Sequence, residues 1–216
     1  RTQLGAMGDQ LEQAGARFCL GPDYLAHLEG DMVFRTPGMK YYLPELTAAR
    51  RAGIAVTSEM EMFFDLCPCP IIAVTGSDGK TTTTTVISEM LKAQGKRVFL
   101  GGNIGAALLP LVEDMRPDDI AVVELSSFQL MTMQKAAWAA AITNISPNHL
   151  NWHSDMEEYI EAKANIFRGS GNSLLVTNAE NGDCLRLAAE CKVPVTLFSS
   201  VKTDEEEFPL VASRAV

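Results

Sequence analysis

Residues 71–85 read I-I-A-V-T-G-S-D-G-K-T-T-T-T-T, an apolar, β-branched run that breaks into a glycine turn and then into residues able to continue as a helix. That order suits a nucleotide triphosphate. Glycine lets backbone come close to phosphate, and the unpaired N–H groups of a first helical turn point at it. The candidate nucleotide-binding run is Gly76, Ser77, Asp78, Gly79, Lys80, Thr81 and Thr82. Within it Lys80 can reach the β- and γ-phosphates, and the Thr81 hydroxyl can ligate Mg²⁺. The longer pattern G-x-x-x-x-G-K-[ST] would need glycine at position 74, which is Val74, so the match is to the shorter G-x-x-G-K-T.

Three further segments carry groups that could serve such a site. G-G-N-I-G spans residues 101–105, E-L-S-S-F-Q-L spans 124–130, and N-I-S-P-N-H-L-N-W-H spans 144–153. Singly, each has an ordinary explanation: a turn, a solvated glutamate, a capping histidine. Together they bring a carboxylate (Glu124), an imidazole (His149) and amides to the strand ends where the glycine turn lies, as a Mg²⁺-nucleotide site requires. Because Mg²⁺ prefers hard oxygen donors, Glu124 and Thr81 are its natural first ligands. His149 and His153 stand four apart, but no glutamate follows His149 as a zinc-protease helix would need, and Pro147 marks the stretch as loop. Lys163, one turn after Tyr159, reads on the residues alone as a helix-surface lysine paired with nearby acids.

The elements that must position these groups follow from periodicity. Residues 17–20, 32–36 and 54–57 read as strands, and 43–52 and 59–66 as helices. Cys67-Pro68-Cys69-Pro70 is a stiff break, taken as a linker (67–70) between a first domain (1–66) and a second (71–216). It has no second metal-spaced cysteine pair. Beyond it, strands are expected at 71–75, 97–100, 120–124, 139–144, 173–177 and 195–198. Helices are expected at 80–94, from 106, from 127, at 155–167 and at 184–190. Asp155 with Glu158 makes a plausible capping box. Strands separated by helices of this length predict an α/β fold with a mostly parallel sheet covered on both faces. In such sheets ligands gather at the carboxyl ends of the strands.

The chain has 216 residues, 47% of them hydrophobic, and a net charge of −9. That is enough apolar content for a core, while the acidic balance argues against nucleic acid or an anionic membrane as partner. No apolar run is long enough to span a bilayer. Five cysteines at irregular spacings suggest reduced thiols and a cytoplasmic protein. The sequence starts at Arg1 without an initiator Met and ends after Glu205-Glu206-Glu207-Phe208-Pro209 with no closing element, so both ends read as cuts through a longer protein.

The segments T-G-S-D-G-K-T-T, G-G-N-I-G, E-L-S-S-F-Q-L, N-H-L-N-W-H and the K-A-N-I that begins at Lys163 together resemble the Mur ligases, over residues 32–178. The Phe-Gln-Leu ending and the Gly-Gly-Asn-Ile-Gly run favour the branch that adds D-glutamate to UDP-N-acetylmuramoyl-L-alanine in peptidoglycan synthesis. The resemblance implies part of a Rossmann-like UDP-binding domain in residues 1–66, with Gly38 near the uridine nucleotide. A P-loop-type ATPase domain follows, and the family's third domain, for the incoming amino acid, is absent.

It implies ATP and two Mg²⁺ ions, an acyl-phosphate intermediate and a protein working as a monomer. It implies Lys80, Lys163 and His149 as catalytic, with Thr81, Glu124, His149 and Lys163 at the metals and Lys163 carbamylated, which reverses the surface reading of that lysine. Asn103, Ser126 and Gln129 would orient the muramoyl substrate, and Asn178 would lie near the nucleotide. Asp78 and Asn151 depart from the family pattern, in which Asn and Asp are common at those places. The alternatives are a sister ligase adding a different amino acid, or a piece that binds nucleotide without ligating; alone, the chain is expected to be inactive.

Overall fold

The computed structural model describes residues 4–26, 28–149 and 151–200. The chain divides into two compact units: Arg1–Val33 with Tyr42–Val56, and Phe34–Tyr41 with Thr57–Val216. In the first, helix α1 (Gly5–Gln13) is followed by strand β1 (Met32–Phe34), helix α2 (Pro44–Arg51) and strand β2 (Ala55–Thr57). The two strands form a two-stranded sheet. Leu46 and Ala49 are the buried apolar side chains of α2, and Pro44 opens that helix where its missing N–H costs nothing. The expected strand at 17–20 is irregular and mostly exposed: no neighbour pairs with it among the described residues, and a strand without a ladder leaves its backbone groups to water. Helix α1 has no counterpart in the sequence reading, because two glycines interrupt its helical signal.

The second unit opens with helix α3 (Glu59–Leu66), whose cap is Ser58; the Ser58 hydroxyl oxygen accepts from the Glu61 N–H at 3.2 Å. Met60, Phe63 and Phe64 of α3 lie in the same apolar cluster as Ile71, Ala73, Val123 and Leu125. The edge of the compact unit therefore falls at 56/57 rather than at the prolines. Hydrophobic burial holds α3 to this core, and Cys67–Pro70 connects two packed elements inside it.

Six strands follow: β3 (Ile71–Thr75), β4 (Val98–Gly102), β5 (Ile120–Glu124), β6 (Ala139–Ile142), β7 (Leu174–Asn178) and β8 (Val195–Phe198). They form one sheet in the order β4-β5-β3-β6-β7-β8, every pairing parallel. The central strands are buried on both faces, which is why Ile71–Thr75 and Ile120–Glu124 read as continuous apolar runs and do not alternate. Helices α4 (Lys80–Ala93), α5 (Ser127–Leu130), α6 (Met156–Ala164) and α7 (Gly182–Glu190) make the crossovers. The helix expected from residue 106 is a 3₁₀ segment, Leu109–Asp114, with Pro110 in its first turn. Glu59 Oε1 accepts from the N–H groups of Leu108 and Leu109 at 3.1 and 2.8 Å, which caps that segment onto α3.

The expected capping box at α6 is half formed. Asp155 Oδ1 accepts from the Glu158 N–H at 2.8 Å, but the Glu158 carboxylate reaches the N–H of Ser154, one residue before the cap. The helix ends at Ala164, and residues 165–167 continue only as turns. No helix among the described residues is long and apolar enough to cross a membrane.

From β3 the chain goes to one side of the sheet for β4 and β5, then to the other for β6, β7 and β8. The change of direction falls at β3, so the crevice at its carboxyl end is the natural ligand position of this sheet.

Candidate nucleotide and metal site

Strand β3 delivers Thr75 and then the turn. Gly76 has φ +149° and Gly79 has φ +77°, and Gly79 caps α4. A Cβ on Gly76 would collide with the Thr143 hydroxyl and come within 3.1 Å of the Asn144 carbonyl oxygen. Gly76→Ala therefore combines backbone strain with a clash against a fixed strand end. It is expected to lower the unfolding free energy by ~2 kcal/mol or more, read by urea denaturation.

The turn is tied to the end of β6. The Ser77 N–H donates to the Asn144 carbonyl at 2.9 Å, the Asp78 N–H donates to Asn144 Oδ1 at 3.0 Å, and the Thr143 hydroxyl donates to the Asp78 carbonyl at 2.6 Å. Ser77 Oγ donates to the Ser146 carbonyl and accepts from the Ser146 N–H, both at 2.9 Å. Its third contact, to Tyr159 Oη at 3.0 Å, leaves the phenol as donor. Thr143, Asn144, Ser146 and Tyr159 are thus the scaffold of the loop; Asn144 and Ser146 lie in the 144–153 segment that the sequence points to, whereas Thr143 and Tyr159 have no role in that reading. The available signal was the spacing of Tyr159 and Lys163, which puts both on one face of α6.

Two lysines converge on the turn. Lys80 Nζ donates to the carbonyls of Gly76 and Ser77 at 3.1 and 3.0 Å. Lys163, a surface lysine on helical spacing alone but a site residue by the family resemblance, is 1% exposed. Its Nζ donates to the Gly76 carbonyl at 2.8 Å, lies 3.4 Å from Thr75 Oγ1 and sits 4.5 Å over the Tyr159 ring. Burial first, and the neighbouring Lys80 second, lower its pKa to about 7. It is a buried amine poised to be neutral near physiological pH.

Glu124 closes the other side. The sheet register sets it level with Val74 on β3 and Gly102 on β4, which places its carboxylate beside the first turn of α4. The Thr81 hydroxyl donates to Glu124 Oε2 at 2.6 Å, and Asn103 Nδ2 donates to Glu124 Oε1 at 2.9 Å. The residue is 1% exposed and, among the described residues, no cation pairs with it. A buried carboxylate held only by neutral donors, with a hydroxyl oxygen at one of its oxygens, fits a hard divalent cation.

Gly76, Lys80, Asn103, Ser126, His149 and Lys163 line a single cavity of about 190 Å³, together with Ser127, Phe128 and Tyr159. His149 is exposed, with φ +56° and its ring 5.1 Å from that of Phe128. His153 faces elsewhere. It is buried, its Nε2 lies 2.9 Å from Ser127 Oγ and its Nδ1 3.6 Å from Glu158 Oε2. Desolvation holds this imidazole below its usual range, against the pull of Glu158.

Gln129 stands apart from the cavity lining. Its side-chain oxygen accepts from the Ser126 N–H and hydroxyl, both at 2.9 Å, forming the capping box of α5, so it sets the position of Ser126. Gly38 accepts at its carbonyl from Trp152 Nε1 at 3.4 Å, beside Phe128 and His153. Asn178, at the end of β7, donates to the Thr143 carbonyl at 3.2 Å and so touches the loop's support.

The family model of the Mur ligase middle domain matches residues 74–210, well over half the chain and including every group just described from Gly76 to Asn178. The chain belongs to the Mur ligase family. Among curated relatives of this Mur ligase chain, a UDP-N-acetylmuramoylalanine–D-glutamate ligase of Acetivibrio thermocellus is 53% identical over 200 residues, 92% of this chain and 43% of the relative. One of the same name from Clostridium botulinum (strain Langeland) is 47% identical over 204 residues, 94% of this chain and 44% of the relative. The chain thus spans less than half the length of the curated relatives it matches.

Among solved structures, UDP-N-acetylmuramate:L-alanyl-γ-D-glutamyl-meso-diaminopimelate ligase from Neisseria meningitides superposes with TM-score 0.58 at 16% identity, covering 94% of this chain and 69% of that one. MurF of Thermotoga maritima, solved with ADP, gives TM-score 0.51 at 22% identity over 66% of this Mur ligase chain and 35% of that one. At these identities the structures speak for the α/β fold with its parallel sheet.

Proposed function

We propose that this chain is the nucleotide-binding core of an ATP-dependent ligase that adds D-glutamate to UDP-N-acetylmuramoyl-L-alanine in the cytoplasm. The residues ahead of α3 would come from its UDP-binding domain and the working form would be a monomer. The observation that carries the proposal is the convergence of Lys80, Lys163 and Glu124 on one glycine turn, in a chain about half identical to ligases of that name.

The chemistry follows from what a carboxylate needs. It is a poor electrophile, and transfer of the γ-phosphoryl group of ATP to it makes an acyl phosphate that an amine can attack, releasing phosphate. Such transfer depends mainly on positioning and on neutralising charge. The N–H groups at the start of α4 would face the phosphates, with Gly76 and Gly79 giving close approach and Ser77, Asp78 and Thr82 completing the cradle. Lys80 would exchange its two carbonyl partners for phosphate oxygens, and Asn178 would border the nucleotide.

Thr81 and Glu124 would hold one Mg²⁺; His149 and a carbamylated Lys163 would face a second. Bound there, Mg²⁺ supplies charge neutralisation at the transferring phosphoryl group. The near-neutral pKa of Lys163 supports the carbamate, because only the free amine adds CO₂. Carbamylation turns a cation that would repel the metals into an anion that attracts them. Asn103 and Ser126, with Ser126 set by Gln129, would orient the acceptor, and Gly38 would lie toward its uridine end.

The test is phosphate release by the complete protein given ATP, UDP-N-acetylmuramoyl-L-alanine and single amino acids. D-Glutamate-dependent turnover is expected; preference for another amino acid would make it a sister ligase, and no turnover with any would leave a nucleotide-binding protein. A second measurement isolates the metal site. Glu124→Gln is expected to weaken Mg²⁺-nucleotide binding ~10-fold or more while nucleotide binding in chelator changes little, by titration calorimetry.

A further inference from the structure

The cysteines of Cys67-Pro68-Cys69 have no part in the nucleotide site, yet they are not simply scattered thiols. Their sulfurs lie 3.6 Å apart, and the Met115 sulfur lies 3.9 Å from Cys67 Sγ. Three elements bring them together. Cys67 caps the end of α3, Cys69 leads through Pro70 into β3, and Met115 ends the 3₁₀ segment that Glu59 fastens to α3. Cys69 and Met115 are each 7% exposed and belong to the main apolar cluster, with Cys67 packed against it and half-buried.

We propose that Cys67, Cys69 and Met115 form a binding site for a soft monovalent metal ion of the Cu(I) type. Metal–sulfur bonds of about 2.3 Å, spread evenly round one ion, set sulfurs roughly 3.8–4.0 Å apart, and both separations from Cys67 Sγ lie close to that. Two thiolates and a thioether in apolar surroundings suit Cu(I), whereas Mg²⁺ and other hard ions need oxygen. Among the described residues no three His, Cys, Asp or Glu side chains gather at one metal position. The third donor here is a methionine, which a cysteine-spacing argument from sequence does not see. The two prolines, fixing φ at positions 68 and 70, hold the thiols near each other before any ion arrives. Cys67, only half-buried, gives the entry path. The loaded site would sit at the amino end of β3, with the nucleotide turn at the carboxyl end, so the two can be tested apart.

The experiment titrates the whole chain, fully reduced and under argon, with Cu(I) against the colorimetric chelator bicinchoninate. One equivalent is expected to be taken from the chelator, with two protons released at a pH where both thiols begin protonated. Cys67→Ser and Cys69→Ser should each weaken binding at least 100-fold. Met115→Leu, which keeps volume and fold, should weaken it about 10-fold, and Cys184→Ala and Cys191→Ala should leave it unchanged. X-ray absorption of the Cu(I)-loaded chain should report sulfur neighbours only. Failure to compete with the chelator, or affinity indifferent to Met115→Leu with circular dichroism showing both proteins folded, would overturn the proposal. Nucleotide affinity measured beside it should not move by more than about twofold, so loss of copper binding and loss of the ATP site would be told apart.

Discussion

Lys80→Ala in the complete protein is expected to lower kcat/KM for phosphate release by at least ~10³-fold, comparable to removing a principal electrostatic stabiliser of a transferring group. The nucleotide should still bind, at reduced affinity, because the glycine turn and the N–H groups of α4 remain. Lys80 Nζ is held now by two carbonyls of the loop it serves, those of Gly76 and Ser77. Its substitution leaves the Gly76 carbonyl still bonded by Lys163 Nζ and takes a partner only from the buried Ser77 carbonyl, so stability should fall by about 1–2 kcal/mol. The measurement pairs single-turnover phosphate release with calorimetric binding of ATP. Unchanged turnover would remove Lys80 from the reaction; loss of folding would make it structural.

Lys163 should show the opposite profile, a large effect on both stability and activity. With a pKa near 7 in the fold against 10.5 as the reference value, the folded state binds fewer protons than the unfolded chain between those limits. Stability therefore rises with pH across that window, and the full penalty of the buried cation is felt below about pH 7. The span is on the order of 4–5 kcal/mol at most. In buffers freed of bicarbonate, urea unfolding should become steadily harder from pH 7 to 10, and Lys163→Met should flatten that dependence.

In the complete protein, Lys163→Ala is expected to lose ~10²-fold or more in kcat, and formate or acetate should restore part of it by placing a carboxylate where the carbamate stood. Rescue by a carboxylate, absent with a chloride control, separates this role from packing. A pH-independent unfolding curve would show that the amine finds a partner for its charge.

Local sequence was enough for elements whose signal is continuous. Ile71–Thr75 and Ile120–Glu124 fall where the sequence pattern places them, because buried parallel strands are near-unbroken apolar runs. It failed where packing decides. The 17–20 run has strand-forming residues but no neighbour, and α3, apparently on the far side of a proline break, belongs to the core beyond it. For the site, Lys80, Thr81 and Glu124 were legible from motif and strand-end position. Gln129 was legible as a member of the group, but its action is on Ser126 through a capping box.

The amino-acid sequence by itself determined that a glycine turn with a lysine and a threonine would follow a buried strand, and that a carboxylate would end a neighbouring one. These are facts about spacing along one chain, and backbone geometry makes them local. Only the tertiary structure decided what surrounds the turn. Lys163 is 87 residues from Gly76, and apart from the family resemblance of the K-A-N-I it begins, helical spacing and nearby acids read it as a solvated lysine. It is the packing of α6 against the sheet that strips water from its amine and lowers its pKa. The same holds for the three sulfurs, since Met115 stands 48 residues from Cys67 and meets it only because Glu59 fixes the 3₁₀ segment against α3. Desolvation and convergence are properties of the folded neighbourhood, and a sequence lists residues without their neighbours.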